Sequence, residues 1–543
     1  MERAHHIVSF RITLTVLGLC ALAGGAAADY KSDIGWTQLS QELGAAMPTG
    51  AGIPISQVEA SDSNNYYWPL VSYFPGKTIT LENGGDPTKY SSHAHIVAGY
   101  IYGTSGIAPG ITNVNVYQAD SWRLNFVKTA TTQEPMVETS RVENHSWIMT
   151  GTAYSSATDT LRRLDYMIER DGFFAAVGVN NGNSTTIPLM LAPSYNALSV
   201  GVSSGDHSHG FTAFDLAGRI KPDIVAEAST NLTSYATAVV SGSAAMLLQV
   251  ADANAGLVDA RHHSEVLRSI FMSGASKLDF FSDWDRTPTR PLDDVYGAGM
   301  LNVHNSYHIL TAGEQHSSNT KTVSLLGWDY TQSSQATKVY YIDVPAGSSA
   351  TVSASLNWNR VITDGNAGSG WSNPQADVAY MSLRLYEADS GFGLGPVVDQ
   401  SISYVDNVQL IYNRTLTPGR YALEVTSDTP GNNYALSWQT TLGTLVPGDA
   451  TGDGKVTFDD YLALETAFGN SGRWSQGDFD GNGVVDFSDY LILEANFGAG
   501  SSFDAGSSLM LSSPDDLGSK VPEPATLGLL LAGALALLRR QRA

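Results

Sequence analysis

Three side chains scattered along this 543-residue chain could together hydrolyse an ester or an amide. Glu59 ends the run Ile55-Ser56-Gln57-Val58-Glu59, His93 opens His93-Ala94-His95-Ile96-Val97-Ala98-Gly99, and Ser234 sits in Leu232-Thr233-Ser234-Tyr235-Ala236-Thr237-Ala238. A hydroxyl is a weak nucleophile at its own pKa. It needs an imidazole within hydrogen-bond reach, and the imidazole needs an acid to hold its tautomer. Acid, histidine, serine is one of the chain orders in which such triads occur. The types alone are common; the segments that hold them carry the reading.

Those segments alternate strand and helix from Tyr30 to about Gly313. Strands are predicted over 53–58, 113–117, 173–179 and 197–202. Helices are predicted from His93 to Tyr102, over 157–170, where Leu161, Leu164, Met167 and Ile168 share one face, and over 235–250, a run of small and apolar residues suited to close packing. Such alternation predicts an α/β unit whose parallel sheet is covered on both faces. From Glu314 to about Leu445 short strand-like runs recur (338–344, 349–356, 379–385, 408–412, 420–425, 434–438), separated by turns such as Pro-Ala-Gly and Thr-Pro-Gly. This texture predicts an all-β sandwich.

Around the three side chains the first unit resembles the subtilisin-like serine proteases, the subtilases, in patches that follow the family's order. The strand ending in Glu59 stands where the family has its triad Asp, with Asp62 a nearby substitute off the strand end. His93 to Gly99 resembles His-Gly-Thr-His-Val-Ala-Gly, which makes His93 the catalytic histidine, and Gly106-Ile107-Ala108-Pro109 follows. Val142 to Trp147 resembles the strand whose backbone pairs with an extended substrate, so Ser146 and Trp147 are expected to bind substrate; Ile148 replaces a family glycine. Ala175 to Gly182 resembles Ala-Gly-Asn-x-Gly. The resemblance implies that Asn180 donates to the oxyanion, with Asn181 as the alternative and a plain Asn-Asn-Gly turn as the rival reading. Lys221-Pro222-Asp223-Ile224-Val225-Ala226 and Thr233-Ser234-Tyr235-Ala236-Thr237 complete the set, with Tyr235 in place of Met and Leu232 in place of Gly. A helix starting at Ser234 would also bring free backbone N–H groups to its hydroxyl. Tyr296 to Val303 resembles the segment that closes the family's domain. The implied activity is peptide hydrolysis on a polypeptide substrate. The substitutions of Glu for Asp and the lost glycine and prolines leave a second reading open, an inactive domain kept as a binding scaffold.

Residues 447–498 contain a duplication. Asp449, Thr451, Asp453, Lys455, Thr457 and Asp460 occupy positions 1, 3, 5, 7, 9 and 12 of one loop; Asp478, Asp480, Asn482, Val484, Asp486 and Asp489 occupy the same positions of the other. Oxygen donors at this spacing, with Gly at position 6 and a backbone carbonyl at position 7, suit Ca2+. Each loop runs into Tyr-Leu-x-Leu-Glu-x-x-Phe-Gly, a helix. The pair resembles the EF-hand-like dockerin type I module, which implies a cohesin-like partner. A unit this small needs a staple, so the calcium is expected to be structural.

Composition sets the remaining bounds. The formal net charge is −23, from 53 acidic and 30 basic side chains, and no basic stretch offers a nucleic-acid footprint. The one cysteine, Cys20, lies in residues 1–28, where two arginines, an apolar run and Ala26-Ala27-Ala28 read as a secretory signal; no disulfide is expected in the exported chain. Val521-Pro522-Glu523-Pro524, about 14 apolar residues and a basic end resemble the PEP-CTERM sorting signal. That resemblance implies an exosortase, transient membrane contact through the tail, and the cell envelope or exterior of a Gram-negative-type bacterium. The expected organisation is signal segment 1–28, catalytic α/β unit 29–313, β-sandwich 314–446, calcium repeats 447–498, linker 499–520 and tail 521–543.

Overall fold

The computed structural model describes residues 29–500 except 150–152, 279, 334–336, 365–370, 372–373 and 429–430. The predicted signal segment, nearly all of the linker, and the tail lie outside the described residues.

The first unit contributes β1 (Ile55–Glu59), β2 (Thr78–Leu81), β3 (Asn113–Gln118), β4 (Val142–His145), β5 (Phe174–Gly178), β6 (Leu198–Val202), the hairpin β7 (Gly210–Thr212) and β8 (Arg219–Lys221), and β9 (Ile224–Ala226). Seven of them form one parallel sheet in the order β2-β3-β1-β4-β5-β6-β9. Every residue of β1, β4, β5, β6 and β9 is buried, as a sheet covered on both faces requires. The strand order reverses at β1: β3 and β2 lie on one side and β4, β5, β6 and β9 on the other. Open α/β sheets bind ligands outside the carboxyl ends of the strands at such a switch. Glu59 ends β1, Ser146 follows β4 and Asn180 follows β5, so the sheet order brings these residues to one crevice.

Helix Thr233–Ala253 runs beneath the sheet and is buried along nearly its whole length. Its length and composition would suit a membrane span, but it is the core helix of this unit. Its small residues permit the approach: a Cβ added at Gly242 would meet the Ile107 side chain at 2.8 Å.

The second unit adds β10 (Leu326–Gln332), β11 (Lys338–Val344), β12 (Ser348–Asn357), the hairpin β13 (Val361–Asp364) and β14 (Pro374–Asp377), β15 (Met381–Ala388), β16 (Leu394–Ser401), β17 (Val408–Leu416), β18 (Gly419–Ser427) and β19 (Asn433–Thr444). Two four-stranded antiparallel sheets, β10-β19-β12-β17 and β11-β18-β15-β16, share one core around Leu356, Trp358, Leu383, Leu423 and Trp438. Strands β2, β7, β8, β9, β10, β13, β14 and β16 were not anticipated. β2 is a four-residue edge strand, and β16 is largely exposed and lacks apolar alternation.

The sandwich is not a separate bead. Helix Ser264–Gly274, every residue of it buried, lies between the parallel sheet and β12 and β19, and Trp328, Val408, Leu410 and Ala435 join the core of the first unit. Arg360 crosses the seam to pair with Asp165 and Asp215. The third unit is two loop–helix repeats on a small core of Val456, Leu464, Phe479, Val485 and Leu493.

One expectation needs correction. β4 is hydrogen-bonded to β1 on one side and β5 on the other, so its backbone is already paired. Ser146 is the first residue past that doubly paired stretch.

Candidate active site

Glu59 is fully buried, and its Oε2 stands 2.7 Å from Nδ1 of His93. Its second oxygen, Oε1, accepts from Gln57 Nε2 at 2.8 Å. Gln57 also donates to the Ala94 carbonyl at 2.9 Å and accepts from the Tyr102 hydroxyl at 2.7 Å. Strand β1 and helix Ser92–Tyr102, whose first turn is capped by Ser91 Oγ, are thus tied together beneath the acid. With Nδ1–H given to Glu59, Nε2 is left as the basic nitrogen. Burial lowers the His93 pKa, but the hydrogen bond and charge of Glu59 outweigh it, and the net shift is upward. Asp62 belongs elsewhere: its Oδ1 accepts the backbone N–H groups of Asn64 and Tyr66 and holds a turn. His95 points into an aromatic cluster of Tyr73, Phe74 and Tyr90.

Ser234 stands in the first turn of helix Thr233–Ala253. Its neighbour Tyr235 brings the helix to the histidine, ring centroids 6.2 Å apart at 29°, and Tyr100 also stacks on Tyr235 at 5.1 Å. The Ser234 hydroxyl donates to the Ser146 carbonyl at 3.4 Å, and Ser146 Oγ returns a bond to the Ser234 carbonyl at 2.8 Å. Among the described residues the Ser234 hydroxyl makes no hydrogen bond to His93.

The two asparagines separate by their bonds. Asn181 Oδ1 accepts from the Thr233 N–H at 2.8 Å and the Thr233 hydroxyl at 3.0 Å, so it caps the helix that carries Ser234. Asn180 is held by its backbone to Ser208, its side chain makes no hydrogen bond among the described residues, and both asparagines line a cavity of about 100 Å³ with Ser146, Trp147, Ile148, Val179 and Ser234. Tyr235 and Ala236 turn their N–H groups to the Leu232 carbonyl, while that of Ser234 has no partner among the described residues. One amide side chain and one backbone N–H without a partner among the described residues therefore lie on the cavity that Ser234 also lines. Trp147 is buried, its indole N–H on Nδ1 of His145, and His145 Nε2 meets Glu143 at 2.9 Å. Burial drives the His145 pKa down to about 3. It is a neutral support, and Trp147 is a cavity wall rather than an exposed binding edge.

The supports Gln57, Tyr102, Asn181 and Ser208 were not read from the sequence. Asn181 was read only as an alternative oxyanion donor or turn residue, and Gln57 left a signal in lying two residues before Glu59 on the same strand face. In the Lys221-Pro222-Asp223 segment, Lys221 Nζ and Asp223 Oδ2 form a buried pair at 2.6 Å, and Asp223 also takes the N–H and hydroxyl of Ser199. These residues join β6 to β9 and do not reach the crevice.

The repeats form a second candidate site. Asp478, Asp480 and Asp489 each offer a carboxylate oxygen, all within 4.8 Å of one another. Asp478 is 5% exposed, and its buried Oδ1 has no hydrogen-bond partner. In the first loop both oxygens of Asp449 accept backbone N–H groups, from Gly452 and Gly454. Asp460 and Asp489 instead close capping boxes with Thr457 and Asp486 at the starts of helices Phe458–Ala467 and Phe487–Asn496. Lys455 and Val484 stand at the carbonyl positions, and Asp453 and Asn482 brace the turns by accepting the N–H of Lys455 and Val484. The donor set of the second loop suits Ca2+ better than that of the first, where Thr451 replaces a carboxylate.

Residues 73–299 match the model of the subtilase family, a span that includes His93, Asn180 and Ser234 and begins after Glu59. Residues 520–543 match the PEP-CTERM protein-sorting motif. No curated protein matches the chain. Solved structures similar to it include the prenylagaramide maturation protease PagA, with 18% identity over 50% of this chain and 98% of that one and a TM-score of 0.35. Fervidolysin from Fervidobacterium pennivorans, a keratinolytic enzyme related to subtilisin, has 13% identity over 72% of this chain and 70% of that one, TM-score 0.33. MycP1 from Mycobacterium smegmatis has 15% identity over 53% and 86%, TM-score 0.32. Residues 73–299 are thus similar to the subtilase family in sequence and hold the parallel-sheet unit, β-rich sheets follow, and residues 520–543 carry a PEP-CTERM sorting motif.

Proposed function

We propose that the chain is an exported serine endopeptidase. Ser234 attacks the scissile carbonyl, Nε2 of His93 takes its proton and later returns it to the leaving amine, and Glu59 orients His93 and stabilises the imidazolium. Asn180 and the Ser234 N–H hold the oxyanion. The observation that carries this reading is the 2.7 Å contact between a buried Glu59 and His93 at the crevice where the sheet order reverses. The substrate side chain next to the scissile bond enters the cavity beside Ile148, and its backbone runs along Ser146. The bond of the Ser234 hydroxyl to the Ser146 carbonyl is the feature that favours the rival reading, an inactive scaffold. Catalytic hydrogen bonds are often long or misaligned before substrate arrives, and that geometry does not exclude a base.

Around this core the repeats bind structural Ca2+ and present a dockerin-like face to a cohesin-like partner. The tail is handled by an exosortase at the membrane, placing the protein in the cell envelope. Labelling with a fluorophosphonate probe decides between protease and scaffold. The protease reading expects label on Ser234, lost in Ser234→Ala and strongly reduced in His93→Ala; an unlabelled, folded wild-type chain ends it.

A further inference from the structure

Away from the crevice, the helix Trp36–Leu43 packs against the helix Val303–Thr311, 262 residues further along the chain. The contact is close. Gly35, in left-handed backbone (φ +71°), sits where a Cβ would meet Asn302 Oδ1 at 2.7 Å and His304 Cβ at 3.1 Å, and the Val303 N–H donates to the Ile34 carbonyl at 2.7 Å. On the facing surfaces, His304 and His308 lie one turn apart on the same side of their helix. Their Nε2 atoms are 3.2 Å from each other and 2.9 and 3.1 Å from Oε2 of Glu42.

We propose that Glu42, His304 and His308 form a binding site for a zinc-type divalent transition-metal ion that clips the start of the α/β unit to its last helix. The three donor atoms make a nearly equilateral triangle. Ligands at zinc bond lengths of about 2.0–2.1 Å in a tetrahedron stand about 3.3 Å apart. The observed edges of 2.9, 3.1 and 3.2 Å need only small side-chain adjustments to become three of its corners. The donor chemistry agrees: two imidazoles with one carboxylate suit zinc and its neighbours, whereas calcium takes six to eight oxygens. Without a cation the arrangement is awkward. Both Nε2 atoms face one carboxylate oxygen and each other, and two N–H groups directed at that oxygen bring like partial charges to within 3.2 Å. A cation at the centre uses both lone pairs and the carboxylate charge together. The side chains are 19%, 34% and 42% exposed for His304, His308 and Glu42, which leaves an open corner for water. The chain's one cysteine is in residues 1–28, so a disulfide cannot tie these helices in the exported form.

The test uses tag-free full-length protein saturated with Ca2+, titrated with Co2+ as a spectroscopic stand-in and then with Zn2+. One equivalent of Co2+ is expected to give the visible absorption of a four-coordinate N/O site, displaced by Zn2+, with a rise in the melting temperature on Zn2+ addition. His304→Ala, His308→Ala and Glu42→Gln should each weaken binding by at least about tenfold. Glu42→Gln, on the exposed partner, keeps the test valid if a histidine variant fails to fold. Absence of stoichiometric binding to the wild type, or binding unchanged in a folded Glu42→Gln or His304→Ala protein, overturns the proposal. None of these readouts depends on proteolytic activity.

Discussion

At the residue, the sharpest distinction lies between Asn180 and Asn181, neighbours with separate tasks. Both line the cavity beside Ser234, but Asn181 spends its oxygen on the Thr233 backbone and hydroxyl, while the Asn180 side chain makes no hydrogen bond among the described residues. Asn180→Ala is expected to lower kcat by about 10²–10³-fold with little change in KM or melting temperature, the size known for the oxyanion donor of subtilisin itself. Asn181→Ala should instead cost about 1 kcal/mol of stability, as loss of a helix cap does. Steady-state kinetics paired with thermal unfolding separates the two. The histidine sets the pH response. As a base it works only when neutral, and Glu59 raises its pKa above the ordinary 6.5 despite the opposing effect of burial. The ascending limb of kcat/KM should therefore have its midpoint above 6.5. Glu59→Gln removes the charge that favours the imidazolium, so that midpoint should fall as the rate falls. A limb that does not move in Glu59→Gln would remove Glu59 from the triad.

At the element, the loop–helix repeats show how little structure these sequences can support alone. Each helix is ten residues long, and each begins with a capping box that satisfies the N–H groups of its first turn. The core beneath them is a handful of side chains. Burial first, and then the charge of neighbouring carboxylates, raises the carboxyl pKa values of Asp449 and Asp478, so both loops carry a cost of charging that a divalent cation relieves. Chelation should lower the first melting transition, and readdition of Ca2+ should restore it. Calorimetric titration should resolve two sites, the tighter lost in Asp478→Ala and the weaker strengthened by Thr451→Asp.

For the whole molecule, the junction between the α/β unit and the sandwich decides stability. Arg360 is fully buried, and its guanidinium pairs with Asp165, itself fully buried and 195 positions away in sequence, and with Asp215. Removing one partner of a buried pair leaves an uncompensated charge. Arg360→Ala should cost about 3–5 kcal/mol in denaturant unfolding. A chain truncated after residue 313 would expose the helix Ser264–Gly274, buried along its whole length between the sheets. It should aggregate or unfold at lower denaturant than the intact chain, measured by light scattering and fluorescence. Two units that unfold independently, with Arg360→Ala neutral, would show the seam to be passive.

The sequence alone determined what local pattern can carry. Continuous apolar runs such as Phe174–Gly178 specify buried strands because both sides of a covered parallel sheet face protein. The Asp-rich loops specify their own turns because Gly sits where left-handed backbone is needed, at Gly454 and Gly483. Motif order placed Glu59, His93 and Ser234 in one unit before any geometry was available. The tertiary structure decided which groups meet. Only the sheet order puts the ends of β1, β4 and β5 at one crevice, and only packing assigns Asn181 to a cap, Trp147 to a wall and β4 to the sheet interior. The Glu42, His304 and His308 triangle is likewise absent from any local pattern. It joins residues more than 260 positions apart, and such contacts depend on how helices dock rather than on the propensity of either segment.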